Sequence, residues 1–303
     1  MSLPEGYSAR PAQDEDAAAI NDVVVASDVS VQGWSESSPE ELVRWWRKFD
    51  DRERGTFVVE HGGAVVAYGD LLKHGDVAES DGFVHPEQLG RGLGSWLRTR
   101  MEERARELAL ARIHTFCLGP DTRAQKLFER FGMSEVRRYY RMVIDLDGPP
   151  PPPAVPDGIR IATFRAQDAR AFLAALNEAF SDEWNFAPMP YEEWIERRLN
   201  DPDTDTDMWF VAWDGDEIAG VNRCDPARLG MGWIGALGVR ERWRKRGVGL
   251  ALLQHSFGEF FRRGIMRVGL GVDASNPTGA TRLYERAGMR VAYEDVGFAK
   301  ELE

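Results

Sequence analysis

The sequence holds only two cysteines, Cys117 and Cys224, far apart in its 303 residues. Two such residues build no disulfide framework, and they fit a reducing compartment. The histidines, His61, His74, His85, His114 and His255, show no paired metal-ligand spacing, so no metal is expected. No apolar run approaches the ~20 residues a membrane-spanning helix needs. The first residues, Met1-Ser-Leu-Pro-Glu-Gly-Tyr7, carry neither the basic nor the apolar region of a secretory signal. Basic charge is in deficit as well: 38 Lys+Arg against 50 Asp+Glu leave a net charge of −12. That balance disfavours nucleic-acid phosphate as a partner. The expectation is a cytoplasmic globular protein with neither membrane nor nucleic acid as a partner.

What is present points to two domains. The chain is 43% hydrophobic, and its length suits two domains of about 150 residues, each with its own core. Gly148 is followed by five prolines, Pro149 to Pro153, then Ala154-Val-Pro-Asp-Gly158. Such a run favours polyproline II and reads as a stiff spacer over 148–158 rather than a ligand for a proline-recognition domain. The flanking halves, 1–147 and 159–303, resemble each other. Val84-His-Pro-Glu-Gln-Leu-Gly-Arg-Gly-Leu-Gly94 parallels Val239-Arg-Glu-Arg-Trp-Arg-Lys-Arg-Gly-Val-Gly249, and Lys126-Leu-Phe-Glu-Arg-Phe-Gly-Met133 parallels Arg282-Leu-Tyr-Glu-Arg-Ala-Gly-Met289. The offsets, 155 and 156, are those of a duplicated domain and too long for a solenoid repeat.

Each half reads as mixed α/β with a mixed sheet. A short strand (Tyr7–Arg10; Ile159–Thr163) leads into helical segments near Ala17–Ala26 and Ala169–Ala179, and second helices follow around Trp45-Trp46 and Trp194. Hairpins are expected at His61-Gly-Gly63 and Asp214-Gly-Asp216, where glycine favours a tight turn. A strand over Trp233–Val239 precedes a glycine-rich segment and an amphipathic helix with Leu250, Leu253, Phe257 and Phe260 on one stripe. Leu93, Leu97, Met101 and Leu108 form the counterpart in the first half. A strand, a helix and a final alternating strand, Tyr140–Leu146 or Ala292–Leu302, close each half.

The chemistry gathers at Arg244-Lys-Arg-Gly-Val-Gly249. Glycines before a helix let the backbone approach a ligand, and the unpaired N–H groups of the first turn carry about half a positive charge. A diphosphate suits such a place, and Arg244 and Arg246 could add charge-assisted bonds. The segment is neither a Walker A loop nor a dinucleotide fingerprint, because it lacks the lysine-serine/threonine pair of the one and the third glycine of the other.

Taken with Leu237-Gly-Val239, Asn276 and Leu283-Tyr-Glu-Arg-Ala-Gly-Met289, the segment resembles the GNAT superfamily of acyl-CoA-dependent N-acetyltransferases over nearly all of 159–303. The resemblance implies two tandem domains of that fold. Acetyl-CoA would be the cosubstrate, its diphosphate cradled by the backbone of Arg244, Lys245, Arg246, Gly247, Val248 and Gly249. Leu237, Gly238 and Val239 would flank the pantetheine arm, Asn276 would bond the coenzyme, and Tyr284 would be the general acid for the departing thiolate. The first half departs at each of these places: Leu89 replaces the arginine, Gly119-Pro-Asp121 the asparagine and Phe128 the tyrosine. Residues 1–147 are therefore expected to fold normally without catalysing transfer, with at most a weak second coenzyme site at Val84, Gly90, Arg91, Gly92 and Gly94. Such a tandem is similar to the layout of the mycothiol synthases.

The implied activity is transfer of acetyl to a primary amine of a small molecule by direct attack in a ternary complex. The alternative is a non-catalytic acyl-CoA-binding module. The strand Gly232–Leu237 offers no carboxylate for the base. A water-mediated base is expected, with Glu183, Asp182, Asp225 and Asp273 as the remaining carboxylates. Glu183, Trp184 and Tyr191 fall where the acceptor pocket would form. The acidic run Asp201-Pro-Asp-Thr-Asp-Thr-Asp207 reads as a solvated loop and, as a weaker idea, as a feature favouring a cationic acceptor.

Overall fold

Turn and cap chemistry set the elements. His61 and Ala64 face each other across a two-residue loop whose glycines, Gly62 and Gly63, have φ of 60° and 81°. That geometry is the type I′ turn, whose twist matches the strands it joins. Ser38 caps the second helix by accepting from Glu41 N–H, with Pro39 at the first helical position. The computed structural model describes residues 2–183, 186–276 and 278–302. In order, β1 (Tyr7–Arg10), α1 (Ala17–Gln32), α2 (Pro39–Trp46), α3 (Arg52–Gly55), β2 (Thr56–His61), β3 (Ala64–His74) and β4 (Val77–Val84) are followed by α4 (Leu93–Glu107), β5 (Arg112–Leu118), α5 (Thr122–Arg130) and β6 (Ser134–Asp145). The same sequence of elements, without a counterpart of α3, recurs as β7 (Ile159–Thr163), α6 (Ala169–Phe180), α7 (Tyr191–Trp194), β8 (Trp209–Asp214), β9 (Glu217–Arg228), β10 (Met231–Val239), α8 (Val248–Arg262), β11 (Arg267–Asp273), α9 (Ala280–Arg286) and β12 (Arg290–Glu301). No helix among the described residues is long and apolar enough to cross a membrane.

The compact units differ from the linear halves. One comprises 1–139 with 293–303, the other 140–292. The first unit orders its strands β1-β2-β3-β4-β5-β12. There Asp295–Glu301 of β12 pair antiparallel with Leu118–Arg112 of β5, and Phe298 and Val296 enter the core beside Phe128, Leu97 and Met101. The second unit runs β6-β11-β10-β9-β8-β7, with Met142 and Leu146 in a core built around Phe257, Phe260, Leu252 and Tyr284. The expected boundary at 147/159 is thus corrected: 140–147 belong with the second unit and 293–303 with the first. Alternating residues specify a strand and its buried face, but not which open sheet edge receives it. The proline run consequently joins β6 to β7 inside the second unit. Those strands lie at opposite ends of its sheet, roughly 24 Å apart at ~4.8 Å per strand spacing. Eight residues, Pro149–Pro156, at ~3.1 Å each in polyproline II span about 25 Å.

The first unit sets a buried acid beside a half-buried one. Asp70, 1% exposed, lies opposite Asp81 on the neighbouring strand and accepts from Trp45 Nε1 and Tyr68 Oη. Burial, and next the charge of Asp81, push its carboxyl up to about 8, whereas the unfolded chain titrates it near 3.9. The native state then holds a proton that the unfolded state has released, so stability falls as pH rises from about 4 towards 8.

Two expectations follow from this architecture. Phe298→Ala lowers stability by about 3–5 kcal/mol, and amide exchange loses protection at Arg112–Leu118 while Arg267–Asp273 stays protected; loss confined to the latter would contradict the unit assignment. Asp70→Asn flattens the decline of the denaturation midpoint between pH 4 and 8, a decline that persists unchanged if Asp70 is ionised throughout.

Candidate functional site

In the second unit the parallel strands β10 and β11 pair only at Gly232↔Val268 and Trp233↔Gly269. Beyond that point they part, and β10 carries a register shift between Ile234 and Ala236. Bulges bend a strand and end its pairing, so the backbone from Gly235 to Val239 lines a cleft. The helix α8 begins at the mouth of this cleft. Its N-cap, Gly247, has φ of 88°, and no side chain caps the first turn. Lys245 also takes a left-handed φ of 62°. These turns aim successive N–H groups outward instead of into a side-chain cap. A Cβ on Gly249 would stand 3.2 Å from Leu283 and 3.4 Å from Val239, so this glycine lets α8 sit close to α9 and the end of β10. The cradle of backbone donors fits a diphosphate, and thus the coenzyme implied by the sequence.

Arg244 serves this loop structurally. Its Nε donates to Val239 O at 3.1 Å, Nη2 donates to Ala179 O at 3.1 Å, and Nη1 donates to Asp182. The guanidinium is committed to three protein groups, tying the end of α6 to the end of β10, so the cradle is backbone in character. Gly238 allows the same closeness, since a Cβ there would stand 2.7 Å from Ala179 Cβ. Trp243, which the sequence reading missed, is fully buried and donates through Nε1 to Asp214 at 2.7 Å, anchoring the turn. A tryptophan among four cationic residues was the available signal.

Tyr284 projects from α9 into the core and is 8% exposed. Its hydroxyl makes no hydrogen bond among the described residues. Burial, then the charge of Glu183, raises its pKa well above 10, so it remains protonated at neutral pH. Asn276 Nδ2 donates to Glu183 Oε1 at 2.8 Å, while its Oδ1 accepts from Thr278 N and Oγ1. The structure therefore brings Tyr284, Glu183 and Asn276 together, across 101 residues of sequence. Burial and the charge of Asp273 raise the Glu183 carboxyl. Asp273 itself accepts from Ser275 N at 2.7 Å, and Asp225 accepts from Ala227 N; both serve local turns. Arg246 stands exposed.

On the acceptor side, Tyr191 stacks on Trp194 and lies under the Arg170 guanidinium at 3.7 Å. Its ring faces are already covered, which makes it part of a local plug. Trp184 lies outside the described residues. In the acidic run, Asp205 pairs with Arg263 and accepts from Asp207 N, while Asp201 accepts from Asp203 N. The run is thus a self-bonded loop. The sequence reading missed Arg223 on β9, whose Nη2 lies 3.4 Å from Gly235 O. Asn222-Arg223 interrupting an apolar strand was the signal.

The first unit repeats the frame. β4 and β5 pair only from Val77↔Arg112 to Ser80↔Thr115, Gly90 and Gly92 have φ of 77° and 85°, and Gly92 caps α4 without a side-chain bond. A cavity of about 360 Å³ opens there, lined by Val84, Gly90, Gly92, Gly94 and Phe128 among others. Arg91 points elsewhere, donating to Tyr7 Oη at 3.2 Å. Phe128 packs on Phe298 at 5.4 Å.

Residues 20–133 and again 169–289 match the acetyltransferase (GNAT) family. A mycothiol acetyltransferase of Thermobispora bispora is 29% identical over 240 residues, covering 77% of this chain and 79% of the relative. Another, from Acidothermus cellulolyticus, is 30% identical over 233 residues, covering 72% and 69%. A GCN5-related N-acetyltransferase of Sphaerobacter thermophilus shares 36% identity and a TM-score of 0.91 over 100% of this chain and 98% of the other. A tandem GNAT protein from the clavulanic acid biosynthesis pathway shares the fold, with a TM-score of 0.74, 19% identity and 98% and 99% coverage.

The loop geometry gives opposite outcomes for two glycines of the same segment. Gly247→Ala, forced into a left-handed φ, destabilises by about 1–2 kcal/mol. Gly258→Ala, inside α8 with no atom within 4 Å of the new Cβ, stabilises by about 0.5–1 kcal/mol. Thermal midpoints of both variants check the pair, and equal shifts would refute the cap geometry.

Proposed function

This chain belongs to the acetyltransferase (GNAT) family and is an acetyl-CoA-dependent acyltransferase, and we propose that its second unit transfers acetyl to a primary amine of a small molecule in a ternary complex. The observation that carries this reading is the uncapped start of α8 at the mouth of the β10–β11 cleft, with Tyr284 nearby. When bound, acetyl-CoA supplies an acyl thioester open to attack at its carbonyl carbon. Backbone N–H groups from Lys245 to Gly249 hold the diphosphate, and Leu237, Gly238 and Val239 flank the arm. A backbone N–H of the parted strand polarises the thioester carbonyl.

The amine loses a proton before or during attack. Glu183, whose carboxyl pKa is raised by burial and then by the charge of Asp273, receives it through an ordered water. The carbon–sulfur bond then breaks, and Tyr284 gives its phenolic proton to the departing sulfur. A phenol of ordinary pKa about 10 yields a proton only as negative charge develops beside it. Asn276, by holding Glu183, fixes the carboxyl near the phenol. Two free cysteines accord with work in a reducing cytoplasm.

The first unit lacks the phenol, and we read its cleft as a non-catalytic coenzyme site. Tyr284→Phe lowers kcat about 100- to 10,000-fold in an amine panel monitored by coenzyme A release, while acetyl-CoA affinity stays within twofold; unchanged kcat removes the acid from the mechanism. Calorimetry with coenzyme A gives two sites per chain. Gly92→Pro leaves one and Gly247→Pro abolishes turnover, whereas loss of turnover in Gly92→Pro alone would assign catalysis to the wrong unit.

A further inference from the structure

Arg223 occupies the point where the catalytic strands part. It stands on β9 opposite Trp209 of β8 and Ala236 of β10. Its guanidinium lies against Gly235, where a Cβ would be 3.0 Å from Nη2 and 3.2 Å from Cζ. Gly235 sits at the register shift, just beyond the last β10–β11 pair. On the neighbouring β9 residue, Asn222 donates to Ser256 of α8, so Arg223 projects from the opposite face of the sheet, the one packed by α6. Tyr191 packs on that same face, which puts the proposed acceptor side of the cleft there.

Arg223 is partly buried, yet its one hydrogen bond among the described residues is the long contact to Gly235 O. Burial, then the positive charges of Arg198 and Arg228, lowers its pKa to about 10, and Cys224 and Asp225 oppose them. Arg198 is likewise lowered by burial, with Asp201 opposing. Guanidinium groups brought together away from bulk water gain stability when they share an anion. The equivalent place in the first unit has the opposite sign. Asp81 precedes the glycine loop by the same interval as Ala236, and its strand partner is Asp70 where Ala236 faces Arg223. The frame therefore accommodates either charge, and the second unit carries the cation.

We propose that the acceptor amine bears an oxyanion, a carboxylate or a phosphate, which Arg223 binds with Arg198 alongside, presenting the amine to the thioester. Arg223 is then a specificity-determining residue, and its planar fork suits the paired oxygens of either anion. This proposal rests on the second unit being the transferring one, and it replaces the weaker expectation of a cationic acceptor.

The test compares matched amines with acetyl-CoA: tyrosine against tyramine, and glucosamine 6-phosphate against glucosamine. Wild type favours the anionic member of at least one pair by about 30-fold or more in kcat/KM, the pair identifying carboxylate or phosphate. Arg223→Gln removes that preference mainly through KM and leaves the neutral partner within about threefold, and Arg223→Lys restores part of it. Equal use of both members, preference for the neutral ones, or an Arg223→Gln loss shared by both overturns the proposal. If no amine is acetylated, the functional reading fails, and a binding arm decides this one. With coenzyme A saturating, inorganic phosphate or acetate binds wild type by calorimetry and not Arg223→Gln; no binding to wild type overturns the anion site.

Discussion

Two parallel strands that pair briefly and then separate are the constraint on which the functional architecture rests. In the second unit the pairing lasts through Trp233↔Gly269, in the first through Ser80↔Thr115. A parallel ladder normally satisfies the facing edges of the two strands it joins. Ending it early leaves backbone donors and acceptors facing a cleft, which is tolerable only where solvent or a ligand meets them. The shift at Gly235 makes the parting possible, and the Arg244 bonds to Val239, Ala179 and Asp182 hold the free end of β10 in place.

Duplication left this frame intact while the side chains diverged. Both loops use a left-handed residue, a left-handed glycine cap and an uncapped helix. What changed is the chemistry hung on them. Phe128 fills the position of Tyr284 and turns towards Phe298, so the aromatic volume survives and the proton does not. Leu89 replaces Arg244, and the Asp70–Asp81 pair stands where Arg223 faces Ala236. Packing accepts each alternative because shape is conserved; charge and proton inventory are what distinguish the units.

Much of this was legible beforehand. The hairpin glycines, the amphipathic stripe through Leu253, Phe257 and Phe260, and the glycine loop announced their elements through turn chemistry and periodicity. The contact between Glu183 and Asn276 was not legible, because it joins segments far apart in the chain. Neither was the commitment of Arg244 to protein carbonyls, since an arginine beside a phosphate-binding turn looks the same whether it faces ligand or backbone. Tyr191 looked available for stacking until Arg170 and Trp194 were found against it.

By itself the sequence determined a duplicated mixed α/β chain, the glycine cradle in both copies and the asymmetry of Tyr284 against Phe128, because local geometry and residue identity are written position by position. Only the tertiary structure decided that 293–303 complete the first unit, that the proline run crosses the second, and that Arg223 lies against Gly235 where β10 and β11 part. Those outcomes depend on which sheet edge receives a strand and which charges meet, and both are settled by folding in three dimensions.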